Sequence, residues 1–184
     1  MITPFSRRIQ IVGSSNAGKS TLAAQLASET GYPLVELDAL NFKPGWQGRS
    51  QHEPDEFRRL IREATVGDSW IVAGNYTVFS QEITWPRADV IVWLDLPLSL
   101  LTVRMLCRSW KRWRTQELLW GTNRERFWPQ LRVWHSDSLF NWLWLNYRRY
   151  RENLIDAQQD ERWKHLRFVH LKSRKEVARF LLEF

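Results

Sequence analysis

The 184-residue chain is short of several things, and each shortage removes a class of protein. It has a single cysteine, Cys107, so no internal disulfide can form, which fits a reducing compartment. No stretch approaches the roughly 18 uninterrupted apolar residues that a membrane span requires. The most apolar candidate, 90–103, is broken by Asp95, Pro97 and Ser99. The opening Met-Ile-Thr-Pro-Phe-Ser-Arg-Arg lacks the charged-then-apolar order of a secretory signal. His52, His135, His165 and His170 show no metal-binding spacing and read as surface or packing residues. Repeats and low-complexity segments are also missing. With 43% hydrophobic residues the chain can bury a core. The expectation is a cytoplasmic protein folded as one unit over 1–184.

What is abundant is tryptophan and positive charge. There are twelve tryptophans, and the formal net charge is +7. Both concentrate in one segment. From Arg104 to Arg151 lie eleven Lys or Arg residues against Glu117, Glu125 and Asp137, a local net of +8, so the remainder is close to neutral. Seven tryptophans fall in the same segment: Trp110, Trp113, Trp120, Trp128, Trp134, Trp142 and Trp144. An insert spanning about 108–150 therefore has an anionic partner as its natural target.

Strand-like and helix-like patterns alternate along the chain. Arg8–Val12 reads as a buried strand, followed by a helix carrying Leu22, Ala23, Leu26 and Ala27 that Gly31 terminates. Leu34–Leu37 reads as a second strand delivering Asp38, and Asn41–Gly48 as a loop. Pro54 opens a helix with Phe57, Leu60, Ile61 and Ala64 on one face. Trp70–Ala73 and Val90–Leu94 are further strands, ended by Gly74-Asn75 and Asp95, and Pro97 fits the first turn of the next helix. Within the insert a turn is predicted near Gly121-Thr122-Asn123 and a long helix from Ser136 to Asp156. Leu166–Leu171 is the fifth strand, and Ser173 caps a last helix. This alternation predicts an α/β fold with a parallel sheet and helices on both faces.

The most informative segment is Gly13-Ser14-Ser15-Asn16-Ala17-Gly18-Lys19-Ser20-Thr21, which fits G-x-x-x-x-G-K-[ST]. Such a loop wraps a phosphate so that successive backbone N–H groups point inward, and its glycines permit the close approach. The following helix adds the positive end of its dipole. Lys19 would reach the β- and γ-phosphates and the Ser20 hydroxyl would ligate Mg²⁺. Asp95, at the end of an apolar strand, would help hold Mg²⁺ directly or through water, or else cap the helix that follows. Asp38 leaves the sheet beside the loop, where it could orient an acceptor hydroxyl, take its proton or bind a metal-held water, or cap a helix. Gly74 and Asn75 reach the same edge and offer close approach, a donor and an acceptor. Arg104, Arg108 and Arg112, four apart on one helix face, suit the charge of a transferring phosphoryl group, with a solvated basic face as the other reading, above all for Arg112, Arg114, Arg124, Arg126 and Arg132. Arg148, Arg149 and Arg151 close the insert at its other stem, so that it could shut over ATP, with Arg148 and Arg149 as candidate substrate ligands. The tryptophans read as packing in a small insert, with base stacking or membrane-interface contact as the other readings.

Taken together, the phosphate loop, Leu-Asp-Ala-Leu-Asn-Phe-Lys-Pro-Gly-Trp (37–46), Trp-Ile-Val-Ala-Gly-Asn-Tyr (70–76), Leu-Asp-Leu-Pro (94–97) and the Arg-rich insert resemble a known group. It is the adenylate-kinase-like P-loop kinases often labelled DNA topology modulation proteins, and the resemblance covers about residues 8–180. It implies a P-loop NTPase fold with a five-stranded parallel sheet of order 2-3-1-4-5, a helical lid after the fourth strand, and ATP as phosphoryl donor. It also implies that Lys19 and Ser20 hold phosphate and Mg²⁺, that Asp38 and Gly74-Asn75 face the acceptor, and that Arg104 and Arg108 begin the lid. Ala73 stands where relatives commonly carry an acidic residue, and Gly74-Asn75-Tyr76 replaces the Gly-Phe-Pro-Arg acceptor segment of adenylate kinases. The expected function is ATP-dependent phosphoryl transfer to a small acceptor, of the nucleoside/nucleotide-kinase class. The rival is a nucleic-acid-binding P-loop NTPase or regulator that grips a backbone through residues 104–151.

Overall fold

A computed structural model describes residues 6–116, 118–121, 123–124 and 139–183. Its centre is a five-stranded sheet in which every neighbouring pair is parallel. The strands are β1 (Arg8–Gly13), β2 (Leu34–Glu36), β3 (Trp70–Ala73), β4 (Val90–Leu94) and, after a small hairpin of β5 (Leu118–Leu119) and β6 (Asn123–Arg124), β7 (Arg167–Leu171). Their order is β2-β3-β1-β4-β7, which among the strands of this sheet is the expected 2-3-1-4-5. Ile9 lies opposite Ile71 on one side and Val90 on the other, and the register carries Gly13 to Leu94.

Parallel strands covered on both faces need apolar residues at successive positions. β4 shows this plainly: Val90, Val92 and Leu94 join one apolar cluster while Ile91 and Trp93 join the other. The first cluster packs against α1 (Lys19–Thr30) and α6 (Leu98–Thr115) through Leu22, Leu26, Leu101 and Met105. The second packs against α4 (Pro54–Ala64) through Phe57 and Ile61. α2 (Leu37–Asn41), α3 (Arg49–His52) and α5 (Thr77–Ile83) are short helices near the strand ends. α7 (Leu139–Gln159) contributes Leu143 to the first cluster but Leu154 and Ala157 to the second, so it passes from one face of the sheet to the other. α8 (Arg174–Leu182) completes the fold, capped as predicted by the Ser173 side chain, which accepts the Glu176 N–H.

The predicted strands and long helices stand, with small shifts. Pro97 immediately precedes α6 rather than sitting in its first turn, and Gly31 closes α1 at a φ of 72°. α2, α3, α5 and the hairpin were not predicted. The turn predicted near 121–123 falls between β5 and β6, where Trp120 and Gly121 both have positive φ and Asn123 already belongs to β6. Residues 1–5, Glu117, Thr122, 125–138 (with Trp128, Trp134, His135 and Ser136) and Phe184 lie outside the described residues, as does the Trp142 side chain. Among the described residues no helix is long and apolar enough to cross a membrane.

Candidate active site

The loop between β1 and α1 is built by its two glycines. A Cβ on Gly13 would lie 2.6 Å from the Leu94 carbonyl oxygen, so β1 can meet β4 this closely only with glycine there. Gly18 has a φ of 100° and precedes α1 without any side-chain cap. The first-turn N–H groups of α1 are thus left to a ligand. Asn16 also has positive φ, and both polar ends of its side chain are buried with no hydrogen-bond partner among the described residues. Lys19 folds back over the loop, its ammonium donating to the Gly13 and Ser14 carbonyls at 2.9 and 3.0 Å. Burial lowers its pKa to about 8; nearby Arg108 pushes the same way and Asp38 opposes. Ser20 and Thr21 are exposed at the head of α1.

Arg104 reaches this loop from α6, its Nη1 donating to the Ala17 and Asn16 carbonyls at 2.9 and 3.5 Å. Burial, with Arg174 nearby, lowers its pKa from the usual guanidinium range. An uncapped helix start, an orphaned Asn16 side chain and a lysine spanning the loop suit a phosphate group.

On the other side, Asp38 sits in the first turn of α2 rather than at the strand end, and Glu36 holds the N-cap position without a side-chain capping bond. The Tyr76 hydroxyl donates to Asp38 Oδ1 at 2.8 Å. Burial and the Asp38 charge raise the Tyr76 pKa far above normal, so it stays a donor. Gly74 is needed because a Cβ there would lie 2.7 Å from the Leu37 Cβ. Asn75 is not turned to a free acceptor site with both its groups. Its Oδ1 accepts the Gly13 N–H at 3.2 Å and the Tyr150 hydroxyl at 3.0 Å.

Asp95 is held at the end of β4 by two cations or donors. Its Oδ2 is 2.9 Å from Arg151 Nε and 2.8 Å from His170 Nε2. The His170 ring stacks on Trp93 with centroids 3.9 Å apart. His170, which the sequence offered as a surface or packing residue, therefore belongs to this end of the site. The register signal was available, since it stands opposite Trp93 one strand away. Arg108 is partly buried and lies within electrostatic reach of Lys19. Arg148, Arg149 and Arg151 are all exposed on α7, and it is Arg151 that pairs with the buried Asp95 side chain. Among the described residues no group of three or more His, Cys, Asp or Glu side chains could hold a metal ion. A cation here would need phosphate oxygens besides Ser20 and Asp95, as Mg²⁺ commonly does.

The hairpin of the insert docks on the loop after α2. The Asn123 side chain accepts the Trp46 N–H at 3.0 Å and donates to the Lys43 carbonyl at 3.0 Å. Trp120 stacks on Phe42 at 5.5 Å and meets Trp46 edge-on at 5.9 Å. Sequence reading gave Trp120 a packing role without locating its partners. These contacts join the insert to the elements that carry Asp38.

Comparison with solved structures agrees with this architecture. The shikimate kinase from Acinetobacter baumannii, in complex with shikimate, superposes with a TM-score of 0.53 at 16% identity, covering 97% of this chain and 90% of that one. A gluconokinase from Sinorhizobium meliloti 1021 gives 0.52 at 18%, covering 98% and 90%. The shikimate kinase from Aquifex aeolicus gives 0.52 at 12%, covering 96% and 94%. The chain has the fold of the P-loop kinases. No protein-family model matches it, and no curated protein matches it in sequence. At these identities the likeness is one of fold, and none of the three carries the DNA-topology label that the sequence suggested.

Proposed function

We propose that this chain is a kinase that transfers the γ-phosphoryl group of ATP to a small acceptor. The observation that carries this reading is Asp38. A carboxylate fixed by the Tyr76 hydroxyl shares the electrostatic field of Lys19 on the phosphate loop. A protein that only binds nucleotide has no use for a braced carboxylate there. The P-loop kinase fold, shared with structures named as shikimate kinase and gluconokinase, supports a small hydroxylated acceptor. The nucleoside/nucleotide-kinase class suggested by the sequence remains within that reading.

In this proposal the backbone N–H groups at the head of α1 and those of the loop not bonded within the chain, as Gly13 and Ala17 are, bind the phosphates together with the Lys19 ammonium, and Arg104 braces the loop through its carbonyls. Ser20 and Asp95 are the residues that would hold Mg²⁺, which when bound neutralises phosphate charge. Asp38 orients the acceptor oxygen and receives its proton as that oxygen bonds to the γ-phosphorus and the bond to ADP breaks. Arg108 and Lys19 face the charge on the transferring group. The insert acts as a lid. The nucleic-acid reading has less support, because Arg104 and Arg151 are turned to the loop and Asp95, and Trp120 and Asn123 to residues 42–46.

The test is ADP release from MgATP across nucleosides, nucleoside monophosphates and hydroxylated acids, with Lys19→Ala in parallel. ADP formation should rise with one acceptor class and fall about 10²-fold or more in the variant while the chain stays folded. Full activity in Lys19→Ala sinks the mechanism, and release stimulated only by DNA or RNA transfers the case to the rival.

A further inference from the structure

Where α7 passes between the two faces of the sheet, its middle turns touch two strand-end segments, the one after β4 and the one after β3. The Tyr147 hydroxyl donates to the Leu96 carbonyl at 3.3 Å, Arg151 pairs with Asp95, and between them Tyr150 reaches Asn75. The Tyr150 contact leads furthest. Its hydroxyl and the Gly13 N–H both donate to one oxygen, Asn75 Oδ1, at 3.0 and 3.2 Å. If the carboxamide were flipped, its NH₂ would face the Gly13 N–H, donor against donor. Burial raises the Tyr150 pKa well above normal, so the hydroxyl keeps the proton it donates. Gly13 is confined from its other side by the Leu94 carbonyl, and its own carbonyl receives the Lys19 ammonium. A continuous set of contacts thus runs from Tyr150 through Asn75 and Gly13 to Lys19.

We infer that Tyr150 is a positioning residue for the phosphate loop. Acting through Asn75, it holds the Gly13 N–H and the first turn of the loop in the geometry that receives a nucleotide. Because Tyr150 stands on α7, the exit helix of the insert, it also ties that geometry to the seating of the insert. Asn75 is then a brace of the loop as well as a neighbour of the acceptor side. This inference rests on reading 13–20 as a nucleotide site.

The experiment uses the full chain as wild type, Tyr150→Phe, Asn75→Ala and the double variant, with MgADP as the probe. Calorimetry gives the dissociation constants. Selective ¹⁵N-glycine labelling gives eight backbone amides, among which Gly13 can be followed directly. Tyr150→Phe should weaken MgADP about threefold to tenfold, the range expected for one hydrogen bond. Asn75→Ala should cost at least as much, and the double variant no more than Asn75→Ala alone. The Gly13 amide resonance should move, and its hydrogen exchange quicken, in Tyr150→Phe without ligand. Should Asn75→Ala fail to fold, Tyr150→Phe and the Gly13 resonance decide by themselves. Wild-type affinity and an unmoved Gly13 resonance in Tyr150→Phe would overturn the inference, as would losses that add in the double variant. A wild-type chain that binds no MgADP overturns instead the nucleotide reading on which it rests.

Discussion

Lys19 is a cation held where burial disfavours one. Its pKa falls from the ordinary 10.5 to about 8, chiefly by desolvation, with Arg108 adding to the fall and Asp38 resisting it. Below pH 8 the side chain is charged in both folded and unfolded chains, and its burial is a standing cost. Between about 8 and 10.5 the folded, unliganded chain binds fewer protons than the unfolded one, so this residue makes stability rise with pH across that window. Ligand affinity moves the opposite way, because phosphate attracts only the protonated form. MgADP affinity should therefore weaken as pH rises through about 8, with protons taken up on binding above it. Asp38→Asn removes the charge that resists and should shift the weakening to lower pH. Arg108→Gln should shift it higher. Calorimetry in buffers of different ionisation enthalpy measures both. A midpoint unmoved by Asp38→Asn would separate Asp38 from Lys19 and weaken its place opposite the donor.

At the scale of elements, the two-stranded hairpin of β5 and β6 is too small to hold itself and depends on what it docks against. Asn123 is 2% exposed, and both ends of its amide are spent on backbone groups of Lys43 and Trp46. Asn123→Ala leaves those groups without their side-chain partner, and Trp120→Ala removes the ring stacked on Phe42. Either change should release the hairpin and speed tryptic cleavage after Lys111 or Arg114 several-fold, leaving thermal unfolding of the sheet near wild type. Cleavage at the wild-type rate would mean that α6 and α7 hold the insert unaided. The hairpin also shows what sequence could and could not convey. β1, β3 and β4 were legible because each is an apolar run ended by a glycine or an aspartate. Two-residue strands and a seven-residue α5 carry too few residues for a period to register. The same limit operated in the site. The phosphate loop, Asp38 and Arg104 were legible because their chemistry is local or follows from strand ends. Asn75 was found but not its role, since its partner Gly13 lies 62 residues away. Tyr150 sits in a helical stripe with Leu143, Tyr147, Leu154 and Ala157 that reads simply as packing.

For the whole molecule the organising quantity is charge, a net +7 with a local +8 between Arg104 and Arg151 against a nearly neutral remainder. Part of that charge is spent at short range, on the loop carbonyls by Arg104 and on Asp95 by Arg151. Arg148 and Arg149 are different: they are exposed like Arg151 on the same helix, but have no ion pair among the described residues. Charges so placed act through the field they project, which draws anions toward the mouth of a cleft and is screened over about 10 Å at 0.1 M salt. The sequence had offered these two as direct substrate ligands, and the two roles differ in kinetics. If they steer, replacing both with Gln slows MgADP association about two- to fivefold at low salt and leaves dissociation unchanged, and the deficit fades by about 0.5 M salt. If they touch the ligand, dissociation quickens and the deficit persists at high salt, since a contact within hydrogen-bond range is screened far less. Stopped-flow measurement at two ionic strengths separates these outcomes. The exposed position of both guanidiniums favours steering, which would make the cationic excess a property of the approach to the site and not of its chemistry.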